Sequence, residues 1–178
     1  MDAGKMRTLT LAAVAFVLVG CGSDDGENER TSSAPGRGTV LVENERLVLE
    51  LGVDGEHVFW VSDNLLRKLP VAGGTPIDVG TSVGESLELD ATHAYFAGGI
   101  RGTIAKLEKA GGAAVTIVTG EANPTSLAVD SSGVYWANWS SYDTAPVADG
   151  SVVSAGLDGS NVATLAENLI YALSLIHI

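Results

Sequence analysis

One serine stands in a sequence context that is typical of a catalytic nucleophile. The string Gly80-Thr-Ser82-Val-Gly84 matches the spacing that places a serine hydroxyl on a sharp strand-to-helix turn. Such a serine needs a histidine as general base, and the only downstream histidines are His93 and His177. The residues after the string alternate between polar and apolar, as in a strand. The sequence therefore predicts a loop between strands here, and no catalytic residue.

The other histidines follow the pattern of a turn. His57 and His93 occupy the same position in successive copies of a repeat, and Gly133 takes that position in the third copy. A position that accepts glycine as well as histidine is typical of a turn and not of a metal ligand or a base. We therefore expect neither a bound metal nor a cofactor.

The single cysteine, Cys21, follows a segment that is typical of export. Lys5 and Arg7 precede eleven mostly apolar residues, 9–19, which are too few to span a bilayer. This run ends Leu18-Val19-Gly20-Cys21, which resembles the lipobox of bacterial lipoproteins. The resemblance implies lipidation at Cys21, and several buried acyl chains hold a protein stably on a membrane. An ordinary secretory signal, or a buried free thiol, is the alternative.

A polar, acidic and Gly/Ser-rich stretch follows the cysteine. We place a signal peptide at residues 1–20 and a flexible tether at 21–40. Gly22 and Ser23 follow the cysteine, and by the same resemblance this implies the outer membrane, facing the periplasm or the cell surface. The formal net charge is −12, and removal of the signal peptide makes it one unit more negative. So acidic a chain is expected to bind no nucleic acid.

A phrase that occurs three times predicts the architecture. Each copy has a short apolar strand ending in Asp, then a turn, then two aromatic residues, the second of which lies six residues after the Asp. The copies are Leu51–Asp54 with Phe59-Trp60, Leu87–Asp90 with Tyr95-Phe96, and Leu127–Asp130 with Tyr135-Trp136. They start 36 and then 40 residues apart, and two further strand-like segments follow in each copy. Four strands in about 40 residues are typical of one β-propeller blade.

The predicted fold class is therefore all-β, an incomplete β-propeller of about three four-stranded antiparallel blades. We place the propeller region at residues 41–172 and its blades at about 47–84, 85–124 and 125–168. The second aromatic residues of the phrase, Trp60, Phe96 and Trp136, are expected to wedge between neighbouring sheets. A β-sandwich and a solenoid are the alternative folds.

One stretch carries a resemblance to known propellers. Residues 123–138, Asn-Pro-Thr-Ser-Leu-Ala-Val-Asp-Ser-Ser-Gly-Val-Tyr-Trp-Ala-Asn, are similar to blade openings of NHL-type bacterial β-propeller repeats. The resemblance implies the architecture and no particular activity. Three blades do not close a ring, because propellers have about four to eight. Residues 173–178 resemble a translated sequencing adapter, so we interpret them as a non-native tail of a truncated reading frame.

The third copy carries a longer loop after its aromatic pair. From the second aromatic residue to the hairpin glycine, the three copies measure 14, 16 and 23 residues. Recognition is usually carried by loops on a rigid frame. We therefore expect a partner to be contacted by Trp139, Tyr142, Asp143 and Asp149. An insertion without a binding function is the alternative.

The expected function is that of a lipid-anchored, extracytoplasmic β-propeller. It would act as a binding or scaffold module for a protein or glycan partner, attached to the membrane through Cys21. The alternative is a propeller enzyme, such as a lactonase or a quinoprotein-like oxidoreductase, whose site would lie mostly in further blades. No catalytic set is visible in the sequence, so the non-enzymatic function is favoured.

Overall fold

The chain divides into two compact units, residues 1–43 and residues 44–178. The computed structural model describes residues 38–82, 84, 86–98, 101–139 and 149–170. The described residues of the first unit, 38–43, form neither helix nor strand. All twelve strands of the described chain lie in the second unit.

These strands form three sheets of four. The first sheet contains β1 (Val48–Val53), β2 (His57–Ser62), β3 (Leu65–Pro70) and β4 (Ile77–Thr81). The second contains β5 (Ser86–Leu89), β6 (His93–Gly98), β7 (Thr103–Glu108) and β8 (Val115–Thr119). The third contains β9 (Pro124–Val129), β10 (Val134–Asn138), β11 (Gly150–Ala155) and β12 (Ala163–Leu169). In each sheet the strands lie side by side in chain order and pair antiparallel. The predicted fold class is confirmed.

The first turn of each sheet is built by the Asp that ends the repeated phrase. In the first sheet, Oδ1 of Asp54 accepts hydrogen bonds from the N–H groups of Glu56 at 3.1 Å and His57 at 2.9 Å. Asp90 and Asp130 accept the equivalent two amides in the other sheets. The Asp carboxylate accepts hydrogen bonds from two amides that would have no partner in the strands. The residues of the turn themselves therefore determine its conformation. The histidines of the repeat, His57 and His93, begin the strands that directly follow these turns.

The three sheets share one register. The second aromatic residue of the phrase pairs with the leucine of the preceding strand, as Trp136 does with Leu127 and Trp60 with Leu51. On its other side, Trp136 pairs with Val153 of β11. Residues at the same place in this register are therefore equivalent between sheets.

Two apolar cores lie between the sheets. The first-to-second core contains Phe59, Val61, Leu66 and Val79 of the first sheet with Leu87, Ala94, Phe96 and Leu107 of the second. The second-to-third core contains Tyr95, Ala97, Ile104 and Val118 of the second sheet with Leu127, Val134, Trp136, Val153 and Ala155 of the third. Phe96 and Trp136 thus wedge between sheets, as predicted. Trp60 is buried but belongs to neither core.

Candidate functional site

The loop between β10 and β11 begins at Trp139 and ends at Asp149. Trp139 is half-buried, and its backbone N–H donates to the carbonyl of Asn123 at 3.0 Å. Asp149 is exposed. Because β10 and β11 pair directly, the structure places these two predicted contact residues at the two ends of one loop. The other two, Tyr142 and Asp143, lie outside the described residues.

A polar network holds the base of this loop. Oε2 of Glu121 accepts hydrogen bonds from Nε1 of Trp136 and from Nδ2 of Asn138, both at 2.8 Å. Asn138 Nδ2 also donates to Oγ of Ser151 at 3.1 Å. Glu121 lies in the connection that leads into β9, so one carboxylate joins the start of the sheet to the last residue of β10. These hydrogen bonds therefore fix the end of β10, from which the connection to β11 begins.

The amide of Asn138 has one orientation, because its NH₂ group must face the Glu121 carboxylate. The opposite orientation would place Oδ1 against Oε2 of that carboxylate, which is an acceptor only. The side chain is only 4% exposed, and Oδ1 is a buried oxygen with no hydrogen-bond partner in the structure as described. Asn138 is also the first residue of an Asn-Trp-Ser glycosylation string, and its buried, bonded nitrogen is not accessible to such a modification.

The same carboxylate–indole contact occurs in the first sheet. Oε2 of Glu45 accepts from Nε1 of Trp60 at 3.1 Å, and its other oxygen pairs with Arg67. Arg67 also donates from Nε to Asp78 at 2.7 Å, and these two carboxylates, Asp78 first, raise the pKa of its guanidinium. These contacts were not among those predicted from the sequence. The signal for them is a Glu that stands 15 residues before a Trp in both copies.

A depression of about 250 Å³ opens beside Asp149, the last residue of the β10–β11 connection. Its lining is polar and consists of Asp149, Gly150, Ser151, Thr164, Glu167 and Asn168. Two carboxylates, two hydroxyl groups and an amide can accept hydrogen bonds from hydroxyl or ammonium groups. It therefore matches the chemistry of a sugar or a basic side chain better than that of an anion.

The other end of the sheets carries the Asp turns, and their carboxylates are already engaged. Nζ of Lys109 donates to Oδ2 of Asp54 at 2.8 Å and to the carbonyl of Asp90 at 2.9 Å. Burial alone would raise the pKa of Asp54, but the bonds from Lys109 and from the amides of His57 and Glu56 outweigh it and lower that pKa to about 2. These groups have a structural role and are not poised for acid–base catalysis.

The second Asp turn has a different partner. The Tyr95 hydroxyl donates to Oδ2 of Asp90 at 2.9 Å. Burial first, and then this carboxylate, raise the pKa of Tyr95. The phenol therefore stays protonated and acts as a donor that fixes the turn.

Ser82 is buried in the connection between the first and second sheets. Its hydroxyl donates to the carbonyl of Gly84 at 2.8 Å, and its N–H donates to the carbonyl of Asn64 at 2.7 Å. Its surroundings are those of a connecting turn, with strand β4 before it and strand β5 after it, so the strand-to-helix turn of a nucleophilic serine is not formed.

Two absences apply to the described part of the chain. No three side chains of His, Cys, Asp or Glu come together there as a metal site. Within the same ranges, no helix has the length and hydropathy needed to span a bilayer. Cys21 lies outside these ranges, so its lipidation stays a prediction.

Comparison with known proteins identifies the fold. No protein-family model and no curated protein matches the chain. A solved chain of a nidogen/laminin complex is 18% identical with a TM-score of 0.57, covering 70% of this chain and 49% of that one. A TolB-like protein from Agrobacterium tumefaciens is 16% identical with a TM-score of 0.54, covering 73% and 50%. The computationally designed Ika4 protein is 16% identical with a TM-score of 0.54, covering 80% and 88%.

These identities show the fold alone. The nidogen/laminin and TolB-like chains are of the NHL/YWTD propeller type, so the three sheets are blades of an incomplete β-propeller. This chain spans about half the length of those two relatives.

Proposed function

We propose that this chain is a lipid-anchored β-propeller module of the bacterial outer membrane. In this proposal the β10–β11 loop contacts a protein or glycan partner, and the lipid is attached at Cys21. The fold supplies the rigid module. The signal-like segment and the Leu-Val-Gly-Cys string support the anchor.

The length of one loop carries the binding proposal. At the equivalent position β2 and β3 are joined by two residues and β6 and β7 by four, whereas β10 and β11 are joined by eleven. The long loop starts from the blade end that Glu121 and Asn138 fix by hydrogen bonds. A long loop on a fixed base is the usual place for recognition on a repeated frame.

The groups around the loop favour a hydroxylated or basic surface as partner. Trp139 supplies an aromatic ring at one end, and Asp149 and Glu167 supply carboxylates at the other. An indole packs against the C–H face of a sugar ring or against a cation, and carboxylates accept from hydroxyl or ammonium donors.

Photo-crosslinking in living cells tests the binding surface. We expect Tyr142→p-benzoylphenylalanine to form one discrete crosslinked species, and Trp139→Ala or Asp149→Asn added to it to abolish that species. The probe at Glu56, an exposed turn residue at the other end of the sheets, is the matched control. Binding of the same variants to a glycan array tests for a sugar partner. Equal crosslinking from positions 142 and 56, with no glycan bound, would contradict the proposal.

Labelling with palmitate tests the anchor separately. The wild-type protein should incorporate label and partition into detergent, and Cys21→Ser should lose both properties while remaining exported. A wild-type protein without label, beside a labelled control lipoprotein, would remove the anchor and leave the binding proposal intact.

A further inference from the structure

The polar depression lies at a backbone irregularity of the third blade. In every sheet the pairing of the third and fourth strands shifts register once, at the equivalent places Leu66/Arg67, Ile104/Ala105 and Val152/Val153. Among the strands that the structure describes, only β11 and β12 shift a second time, between Gly150 and Val152. Two residues of β12, Glu167 and Asn168, therefore lie opposite Ser151 as a β-bulge. A bulge re-aims side chains, and both of these residues line the depression.

A buried amide stands behind the depression. Asn138 pairs with Ser151 across β10 and β11, and its Nδ2 donates to Oγ of Ser151, which is a lining residue. Because Oδ1 belongs to the same planar amide, it lies within about 5.5 Å of that hydroxyl oxygen. This Oδ1 is buried and accepts no hydrogen bond in the structure as described. An acceptor without a donor beside a polar depression favours a ligand that donates hydrogen bonds.

The charge of the lining selects among such donors. Asp149 and Glu167 contribute carboxylates, and the lining residues that the structure describes include no Lys, Arg or His. A neutral hydroxyl compound gains nothing from this charge, whereas an ammonium group is attracted by both carboxylates. An ammonium group also donates three hydrogen bonds and accepts none, which matches a lining with several acceptors.

The position of the two carboxylates favours one kind of cation. Asp149 directly precedes β11, and Glu167 lies in β12. A guanidinium presents a planar fork to a single carboxylate, whereas an ammonium group can direct its N–H bonds to acceptors on separate elements. Lysine carries this group on a flexible four-carbon stem, so the ammonium can enter the depression while the backbone of the partner stays outside.

We propose that the depression binds the ammonium group of a lysine side chain of a protein partner. This inference rests on the proposed function, because the depression adjoins the last residue of the β10–β11 loop. The carboxylates of Asp149 and Glu167 accept hydrogen bonds from the ammonium group. The amide of Asn138 holds the Ser151 hydroxyl in the wall, and the bulge at Glu167 and Asn168 gives the depression its shape.

Nuclear magnetic resonance titration of the full 178-residue chain tests the inference. The probe is Nα-acetyl-lysine methylamide, and the matched compound is its Nε-acetylated form, which keeps the stem and loses the charge. The lysine probe should shift the amide signals of Gly150, Ser151 and Glu167 in a saturable manner, and the acetylated compound should not. Glu167→Gln should weaken binding of the probe about fivefold. Glu108→Gln, at an exposed strand end of the second blade, is the matched control and should leave binding unchanged.

A deletion tests the part played by the bulge. Deletion of Asn168 removes the extra residue and should abolish binding of the lysine probe, because β12 then takes the register of the other outer strands. Asn168→Gly keeps a residue that adopts positive φ, which is 60° at this position, and should retain binding. Melting temperatures of both variants show whether the blade is still folded.

Three results would overturn the inference. The first is an equal response to the lysine probe and to its acetylated form, including no response to either. The second is a glucosamine oligomer or calcium chloride that shifts the three amides when the lysine probe does not. The third is a Glu167→Gln variant that binds the probe like the wild type.

The crosslinking experiment separates this inference from the proposed function. A discrete crosslink from position 142 together with no binding of the lysine probe would remove the lysine site and leave the binding loop. Binding of the probe without any crosslink would retain the lysine site and remove the loop as the contact surface.

Discussion

At the scale of single residues, Lys109 joins two blades through its ammonium group. Nζ bonds Asp54 of the first blade and lies 5.7 Å from the centroid of the Phe59 ring, inside the range of a cation–π contact. A methionine at this position keeps most of the apolar stem and loses the cation–π contact and the hydrogen bonds to Asp54 and to the carbonyl of Asp90. We expect Lys109→Met to lower the free energy of unfolding at pH 7 by about 1–2 kcal/mol.

The effect of that substitution should depend on pH. The folded-state pKa of Asp54, about 2, lies below the value of about 3.9 expected in the unfolded chain. The stabilisation is therefore complete above pH about 4 and is lost as the pH falls through about 2. Thermal unfolding from pH 7 to pH 2 should show a smaller difference between the wild type and Lys109→Met in acid, because the contact with Asp54 weakens while the bond to the Asp90 carbonyl remains. Arg101→Met, at an exposed position, is the control. A gap that stays constant down to pH 2 would contradict the role of Asp54.

Glu121 is the residue on which the base of the candidate loop depends. Two buried donors, on Trp136 and Asn138, bond one of its oxygens. Glu121→Ala removes the acceptor of the Trp136 indole and one of the two acceptors of Asn138 Nδ2 and should cost about 2–3 kcal/mol, whereas Glu121→Gln keeps an acceptor and should cost about half as much. Urea unfolding followed by tryptophan fluorescence measures both. Glu108→Ala, at an exposed strand end, is the matched control, and an equal loss there would show that the network contributes nothing specific.

At the scale of the strand, β6 shows what the repeat could and could not predict. The six-residue spacing from Asp90 correctly placed Phe96 between sheets. The same pattern did not predict that Tyr95, the residue before it, is buried in the other core. Adjacent residues of a strand point to opposite faces. A sequence pattern does not show whether both faces are covered, because the covering residues come from other copies of the repeat.

Two lysines at equivalent positions connect each blade to the next. Nζ of Lys68 donates to the carbonyl of Lys109, and Nζ of Lys106 donates to the carbonyl of Leu157, both at 2.8 Å. The acceptors are themselves equivalent, and the third blade has Ser154 in place of the lysine. These hydrogen bonds join residues 41 and 51 positions apart, so no local pattern in the sequence predicts them.

Removing one of these ties should loosen one turn only. We expect Lys106→Met to cost about 1 kcal/mol and to accelerate amide exchange in the β11–β12 turn, residues 156–162. Lys68→Met, the matched variant one blade earlier, should instead accelerate exchange in residues 109–114. Faster exchange of both turns in both variants would mean that the lysines act on overall stability and not as local ties.

At the scale of the whole molecule, the net charge does not show which groups the lysine and arginine side chains bind. Arg67, Lys68, Lys106 and Lys109 all bond carboxylates or backbone carbonyls of the fold. The chain has 22 Asp and Glu against 10 Lys and Arg, so carboxylates outnumber cations by twelve. The composition predicted an acidic protein. It could not show that several lysine and arginine side chains bond groups of the fold, because which groups they meet depends on the fold. The net charge of −12 is consistent with the basic or hydroxylated partner proposed for the loop.

Among the described residues, the two apolar cores have no residue in common, and only the second blade contributes to both. Stability should therefore follow a nearest-neighbour scheme, in which each core contributes nearly independently. Phe59→Leu alters the first-to-second core and Trp136→Phe the second-to-third, each at an expected cost of about 1–3 kcal/mol. The double variant should lose the sum of the two costs within about 0.5 kcal/mol.

Amide exchange distinguishes this scheme from a single cooperative core. Phe59→Leu should accelerate exchange in β1–β4 while leaving β10–β12 near their wild-type rates, and Trp136→Phe should do the reverse. Exchange in the second blade should be accelerated by both substitutions, because Tyr95 and Phe96 are adjacent in β6 and belong to different cores. Uniform acceleration of all three blades by either single variant would show that the blades unfold together and that the nearest-neighbour account is wrong.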